Sequence, residues 1–338
     1  MRRVRKYGWE LLLAVLLVLL VVIGTAVSPV FLSGRNFTNL TAAVIEVSIM
    51  ALPMALVIIA GEIDLSVESM AGLACAVLGL LWSAGVPLPV AIPVVLVMGV
   101  LGGLLNGALV TGLKLPSLVV TLGTLALFRG LALVVLGSQG VTGFPGWFTD
   151  FGFGTVAGTP IPYPLLIFIA LAVVLGVLLH ATWPGRQLYA IGRNASAARY
   201  SGVRVGRQKA LLFALSGFVA ALAGIILTAR FASARADVGQ GLTLTVVTIV
   251  LLGGVNIFGG RGTIPGVVLA AATLAVLGNV LRLTNVSAEI QSIAIGVLLI
   301  VSVVIPNLAH QVSTRVGRGP QVGRGSAATA GAGGAPGP

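Results

Sequence analysis

Long apolar stretches dominate this chain, and short segments between them hold most of the charged residues. A helix that crosses a bilayer needs about 20 mostly apolar residues. Ten stretches reach or approach that length: 10–30, 41–60, 65–83, 87–111, 118–137, 162–181, 210–228, 241–255, 263–281 and 288–305. The pattern therefore predicts an all-α integral membrane protein with about ten transmembrane helices, of which the eighth is short and ends in a glycine pair.

Ten spans divide into two halves of five, and an odd number per half gives the halves opposite topology. A weak sequence echo supports this division, because 103–123 and 259–279 both join a Gly-rich turn to an apolar helix. We expect two inverted five-helix repeats within a single transmembrane domain, residues 1–312. The remaining residues, 313–338, are so rich in Gly, Ala and Pro that we expect a disordered tail.

Composition agrees with a membrane setting. Hydrophobic residues make up 57% of the chain and charged residues only 8%, with a mean hydropathy of +1.11. An average soluble domain carries about 25% charged residues. The formal net charge of +12 does not indicate nucleic-acid binding, because the basic residues lie between apolar runs and not on one polar face.

The basic residues also predict the orientation, since Lys and Arg concentrate on the cytoplasmic side of membrane proteins. With the N-terminus inside, the inner segments hold 15 of the 20 Lys and Arg residues, the outer segments hold 4, and Arg129 falls within the fifth span. Ten spans place both termini in the cytoplasm of a multi-pass protein of the inner membrane.

Three of the chain's eight acidic residues, Glu62, Asp64 and Glu68, fall within seven positions of an apolar region. The topology places them at the inner end of the second span, where a break in the helix would admit water. Asp64 suits the N-cap of the following helix, and Glu68 suits its first turn. Together with Ser66, this group is interpreted as a polar hinge and helix cap, or alternatively as a gating element.

Arg129 is the basic residue within a span, so it should face the bundle interior and have a partner. By depth, Glu46 in the second span is the best candidate, and we predict a Glu46–Arg129 ion pair. The alternative is that Arg129 extends outward alone, or meets backbone carbonyls and a bound solute.

The longest inner segment, 182–209, has six basic residues and no acidic one. Asn194 can cap a short helix that begins after it, and Gly202 can close that helix in the left-handed conformation. An ordinary basic loop explains the charges but not this capping pattern. A preformed knob that fits a groove in a cytoplasmic partner explains both.

Four sequence blocks resemble the permease subunits of ribose-type sugar ABC importers: GEIDLSVES, GRQLYAIGRNASAARYSGV, LSGFVAALAGIIL and LGGVNIFGGRGTIPG. Within that family, IMALPMALVIIAGEIDLSV and GWFTDFG are most similar to the rhamnose and autoinducer-2 permeases. The resemblance implies a second permease, identical or homologous, a pair of ATPase subunits and an extracytoplasmic sugar-binding protein. It also implies that 182–209 is the coupling segment, with these contacts to the ATPase: Asn194, Ala197, Ala198, Arg199, Tyr200 and Gly202.

The chain departs from the family pattern at two places. Glu62 and Glu68 replace glycines of the common form, although Glu62 also resembles the rhamnose branch. Thr245 stands where an acidic residue is more usual, which removes any pathway role of that acid.

A small neutral sugar would need hydrogen-bonding groups along an apolar passage. The candidates for this role, with Phe128 as a stacking surface, are Asn106, Thr121, Thr124, Phe128, Arg129, Asn256, Asn279 and Gln291. Polar residues of these types also hold membrane helices together, so each has a structural alternative.

No motif predicts a cofactor, a metal site or a catalytic group, and the phosphate-binding GxxxxGK[ST] pattern does not occur in the sequence. We therefore expect a transport subunit whose ATP is hydrolysed by another chain, and not an enzyme. An ion-coupled secondary transporter for a small polar solute is the alternative, since such proteins also use inverted repeats and intramembrane carboxylates.

Overall fold

The computed structural model describes residues 8–137, 139–300 and 304. Over these ranges the regular structure is α-helical, with two isolated β-bridges, Val141–Ala234 and Thr155–Pro162. In chain order the helices are α1 Gly8–Val27, α2 Gly34–Ala42, α3 Ile45–Ile59, α4 Val67–Ser83, α5 Leu88–Gly112, α6 Ser117–Leu136, α7 Gly146–Phe153, α8 Tyr163–Ala181, α9 Trp183–Arg193, α10 Ala195–Tyr200, α11 Val205–Phe231, α12 Leu242–Leu252, α13 Ile264–Leu283 and α14 Ala288–Ile300. The all-α prediction is confirmed for this part of the chain.

Six helices among the described residues are long and apolar enough to cross a membrane: α1, α5, α6, α8, α11 and α13. The pair α2 and α3 makes a seventh if it is one broken span, because the two helices meet at an angle of 50°. Helices α4, α12 and α14 are apolar but shorter. The structure therefore supports a multi-pass protein and does not confirm ten full spans or the inverted repeats.

The burial of the helices is graded from the centre to the periphery. Every residue of α3 is buried, and α11 packs against α3, α4, α5 and α7. Over the most apolar 18-residue window, 72% of α11 is buried but only 11% of α1. The outer helices thus expose apolar faces, as expected where lipid is the solvent.

Small residues allow α5 and α11 to approach closely. Gly99, Gly103 and Gly107 repeat every four residues along one face of α5, which is the small-xxx-small spacing of tightly packed membrane helices. A Cβ added to Gly107 would lie 2.7 Å from Ala210 Cα, closer than van der Waals contact. At Gly103 an added Cβ would overlap the backbone of Phe213 still more severely.

The segments between the predicted spans contain more structure than the pattern indicated. The presumed loop 182–209 consists of α9, α10 and the start of α11. Helix α9 was not predicted because it is amphipathic, and its polar residues interrupt the apolar pattern that marks a span. The outer segment that follows α6 contains the short helix α7. The predicted tail 313–338 and the end of the tenth stretch lie outside the described residues.

Candidate functional site: a capped helix and the turns that join it to the bundle

Helix α10 is the short helix predicted after Asn194. The Asn194 side chain accepts a hydrogen bond from Ala197 N at 2.9 Å, and Gly202 adopts the left-handed conformation with φ +83°. These observations confirm the capping prediction. Ala198 faces inward and is buried, whereas Tyr200 is 93% exposed and so presents a large aromatic side chain to any partner.

Helix α9 anchors α10 to the bundle through glycine turns. Gly260 N donates a hydrogen bond to Ile59 O at 2.8 Å, and an added Cβ on Gly192 would overlap both of these backbone groups. The Tyr189 hydroxyl donates to Gly262 O at 2.7 Å. The end of α9, the turn after α3 and the 259–262 turn are therefore in direct contact, with no space between them for a side chain at Gly192.

A second link joins this region to α11. The Lys209 ammonium forms an ion pair with Glu62, and both side chains are largely shielded from solvent. Gln208 also donates to the Gln187 side chain at 2.7 Å, which ties α11 to α9. Glu62 thus lies beside the segment 182–209 and is joined to it by the Lys209 pair.

Asp64 does not occupy the cap position that the sequence suggested. The N-cap of α4 is Ser66, and its side chain makes no capping bond. Asp64 Oδ1 instead accepts from Ser66 N at 3.0 Å and from Ser66 Oγ at 2.6 Å, while its Oδ2 accepts from Ser216 Oγ at 2.7 Å. The residue is fully buried, so it stabilises the entry turn and joins that turn to α11.

Asn106 completes this buried polar cluster. Its Nδ2 donates to Ser66 Oγ at 2.9 Å, which connects α5 to the same turn. Its Oδ1 has no hydrogen-bond partner among the described residues. The cluster of Asp64, Ser66, Asn106 and Ser216 therefore joins the entry turn of α4 to α5 and α11.

The predicted Glu46–Arg129 pair is wrong, because the structure gives each residue another partner. Arg129 Nη2 lies 3.7 Å from Glu68 Oε1, and Arg129 Nη1 donates to Ala236 O at 3.0 Å. Ile63 lies against the first turns of α6, since its N donates to Ser117 Oγ at 3.2 Å and its O accepts from Thr121 Oγ1 at 3.3 Å. The chain then turns and enters α4, which places Glu68 in the first turn of α4 beside Arg129, although the prediction placed them at opposite ends of the bundle.

Glu46 pairs with Arg230, with Arg230 Nε 2.8 Å from Glu46 Oε1. Arg230 Nη1 also donates to Ala42 O at 2.7 Å. Ala42 is the last residue of α2, where the helix break leaves carbonyl groups without intrahelical partners. Arg230 therefore serves both the broken helix and the buried carboxylate, a role that its position after an apolar run did not reveal.

Most pathway candidates make hydrogen bonds within the protein. The Asn36 and Asn279 amides bond to each other twice, at 2.9 Å in each direction. Thr121 and Thr124 donate to carbonyls of their own helix, and they lie with Phe128 on the buried face of α6. Asn256 accepts from Phe258 N within the glycine turn. These contacts explain the residues structurally and leave their pathway role as a prediction.

Gln291 differs, because it lines a cavity of about 180 Å³ between α3, α12, α13 and α14. Thr245 and Arg282 line the same cavity and add a hydroxyl and a guanidinium to its apolar wall. A larger groove of about 620 Å³ lies near α9 and the start of α11. Over the described ranges, no cluster of three or more His, Cys, Asp or Glu residues could hold a metal ion.

Comparison with known proteins identifies the family. Residues 36–303 match the family described as the permease component of branched-chain amino acid transport systems. The chain is also 41% identical over 305 residues to the autoinducer 2 import system permease protein LsrD of Escherichia coli (strain K12) and to that of Shigella flexneri. Each alignment covers 88% of this chain and 92% of the relative.

No solved structure shows a significant match. The matched residues include α3 through α13 and thus the glycine turns, the capped helix α10 and the buried ion pairs. The chain therefore belongs to this permease family: it is a membrane-spanning permease subunit of an ABC importer, and not an enzyme.

Proposed function

We propose that this permease imports autoinducer 2 or a similarly small sugar, with rhamnose and ribose as the nearest alternatives. The observation that carries the proposal is the 41% identity to autoinducer 2 permeases along 88% of the chain. The family description refers to amino acids. A zwitterionic amino acid would call for a buried charge at each end of the solute, whereas a sugar needs mainly hydrogen-bonding groups.

The cavity lined by Gln291 is our candidate for direct solute contact. Its volume of about 180 Å³ is smaller than the 300–1,000 Å³ or so of typical drug-sized sites, which favours a small solute. Gln291 Nε2 donates to Val286 O at 3.0 Å, which holds its amide in place. Thr245 provides a neutral hydroxyl in a position where an acid would favour cations.

The ATPase is proposed to act on this permease through α10. Its caps make it rigid, its exposed Tyr200 offers a contact, and Gly192 transmits movement to the turns after α3 and α12. In this arrangement α10 faces the cytoplasm with both chain termini, a separate ATPase receives α10, and an extracytoplasmic binding protein delivers the solute. We further propose that the importer contains a second permease, and that this chain has ten spans in two inverted repeats and a disordered tail at 313–338.

Uptake assays test the substrate and the energy source together. Proteoliposomes with the full importer should accumulate autoinducer 2 in preference to ribose, and this uptake should continue with an uncoupler but stop without ATP. Gln291→Ala and Thr245→Val should raise the half-saturating solute concentration, whereas Leu166→Ala on the exposed face of α8 should not. Uptake that stops with the uncoupler and continues without ATP would favour the ion-coupled alternative.

A further inference from the structure

The groove beside α9 combines an apolar interior with unpaired positive charge. Its walls come from the end of α3, from α8 and α9 and from the first turns of α11, and its volume is about 620 Å³. Leu56 and Leu212 form a buried floor, whereas Trp183 and Leu211 at its edge are 64% and 52% exposed. A cavity of this size falls within the usual range of about 300–1,000 Å³ for organic ligands.

Two arginines, Arg204 and Arg207, line the same groove, and both are exposed. Neither has a carboxylate within salt-bridge distance among the described residues. The nearby acid Glu62 is already paired with Lys209, and the segment 182–209 contains no acidic residue. The positive charge at the groove is therefore not neutralised from within this part of the chain.

We propose that this groove binds an anionic phospholipid, with its phosphate between Arg204 and Arg207 and an acyl chain along Leu178, Leu211 and Leu215. Basic pockets next to membrane helices recognise anionic lipid headgroups. Trp183 is the type of side chain that settles at the membrane–water interface. The opposite charges of the phosphate and the arginines, together with the apolar wall, favour a lipid over a soluble anion or a protein segment.

Occupancy would affect transport because of what the groove touches. Leu188 and Gln187 belong to α9, and Gly202 ends the α10 segment. A lipid bound there would contact α8, α9 and α11 at once and would resist their relative movement. The lipid site itself depends only on the membrane setting, not on the proposed solute or ATPase.

Lipid retention by the purified full-length chain tests the inference. Native mass spectrometry in nonionic detergent would measure bound phosphatidylglycerol, with phosphatidylcholine and glycerol 3-phosphate as the neutral-lipid and headgroup probes. We expect phosphatidylglycerol affinity to fall about fivefold for each arginine removed in Arg204→Gln and Arg207→Gln, which corresponds to about 1 kcal/mol per residue. Leu178→Trp should also reduce retention by filling the groove.

Matched controls distinguish binding in this groove from nonspecific attraction of anionic lipids to the positively charged protein. Arg186→Gln removes an exposed arginine of α9 that does not line the groove, and Leu166→Trp enlarges an exposed residue elsewhere on α8. Both should retain wild-type binding. Equal losses in the controls, unchanged binding in both arginine variants, or equal affinity for glycerol 3-phosphate would overturn the proposal. So would loss of ATPase or permease assembly with lipid binding intact, since the groove would then be a protein interface.

Discussion

Charged side chains that are largely shielded from solvent in this permease mostly form ion pairs between its elements. Each pair joins two elements that are distant in sequence, and the pairs are Glu46–Arg230, Glu62–Lys209 and Glu68–Arg129. Asp64 is the exception, because its contacts are with neutral donors. Breaking a buried pair on one side leaves an uncompensated charge, which is costly.

The Glu46–Arg230 pair provides the clearest test of this role. Arg230→Met should destabilise the protein by about 3–5 kcal/mol, because Glu46 and the Ala42 carbonyl lose their partner. Thermal unfolding of the purified protein would measure the loss. The exposed Arg235 is the control, since Arg235→Met should have little effect.

A compensating change distinguishes pairing from loss of packing. Glu46→Gln combined with Arg230→Met should recover much of the lost stability, because no unpaired charge then remains. The combination of Glu46→Arg and Arg129→Glu should not recover, since those two residues have different partners. Recovery in the latter swap would contradict the pairing described above.

Asp64 provides a second test at this scale. Asp64→Asn keeps a carbonyl acceptor for Ser66 and adds an amide that can donate to the Ser216 hydroxyl, so we expect a small effect. Asp64→Ala leaves buried donors without an acceptor and should cost about 1–3 kcal/mol. Equal damage from both substitutions, seen in thermal unfolding, would show that the negative charge itself is needed.

At the scale of the elements, close helix contact depends on glycine. Gly103 on α5 has no space for a Cβ beside Phe213, whereas Gly123 on α6 has no neighbour within 4 Å of an added Cβ. Gly103→Ala should therefore separate α5 from α11 and lower the unfolding temperature. Gly123→Ala should be neutral or stabilising by up to about 1 kcal/mol, because alanine favours a helix. Equal effects on unfolding would refute the close contact.

Helix α10 should depend on its cap. Asn194→Asp retains a side-chain acceptor for Ala197 N, while Asn194→Ala removes it and should cost about 0.5–2 kcal/mol locally. Faster hydrogen exchange over α10 in the alanine variant, with unchanged exchange in α3, would reveal this fraying. Similar exchange in both variants would mean that packing of Ala198, and not the cap, holds the helix.

The capped helix after Asn194 was predictable from the sequence, whereas the cap of α4 and the pairings across the bundle were not. The cap at Asn194 and the left-handed Gly202 depend on neighbouring residues, so their pattern was sufficient. The partners of Arg129 and Glu46 depend on how each helix is rotated about its axis, which depth alone does not determine. Arg230 was missed because the break between α2 and α3 carries no Pro or Gly signal.

At the scale of the whole molecule, these contacts make one connected path. Helix α10 follows α9 directly after the extended residue Asn194, and α9 touches the turn after α3 and the 259–262 turn through Gly192 and Tyr189. Those turns lead into the central helix α3 and into α13. A displacement of α10 by a partner would thus be transmitted through α9 and these turns to the buried helix α3, and not through the exposed outer helices.

Two substitutions in the α10 segment should uncouple ATP hydrolysis from solute uptake. Ala198→Glu places a carboxylate at a buried position of α10, and Gly202→Val strains a residue with φ +83°. Both should leave membrane insertion normal and lower the uptake obtained per ATP hydrolysed. Wild-type uptake from both variants in proteoliposomes would contradict a role for α10 in coupling.

ATP-driven uptake by the Tyr200→Ala variant, in proteoliposomes with the ATPase and the binding protein, tests directly whether α10 receives the ATPase. Tyr200 is 93% exposed, so the substitution should leave folding unchanged and remove only a contact with a partner. Val134→Ala, which is also exposed at 83%, serves as the control on the membrane face of α6. We predict that Tyr200→Ala loses most uptake and most solute-stimulated ATP hydrolysis while Val134→Ala retains both. Normal uptake by Tyr200→Ala, or equal losses in the two variants, would contradict the proposal that α10 receives the ATPase.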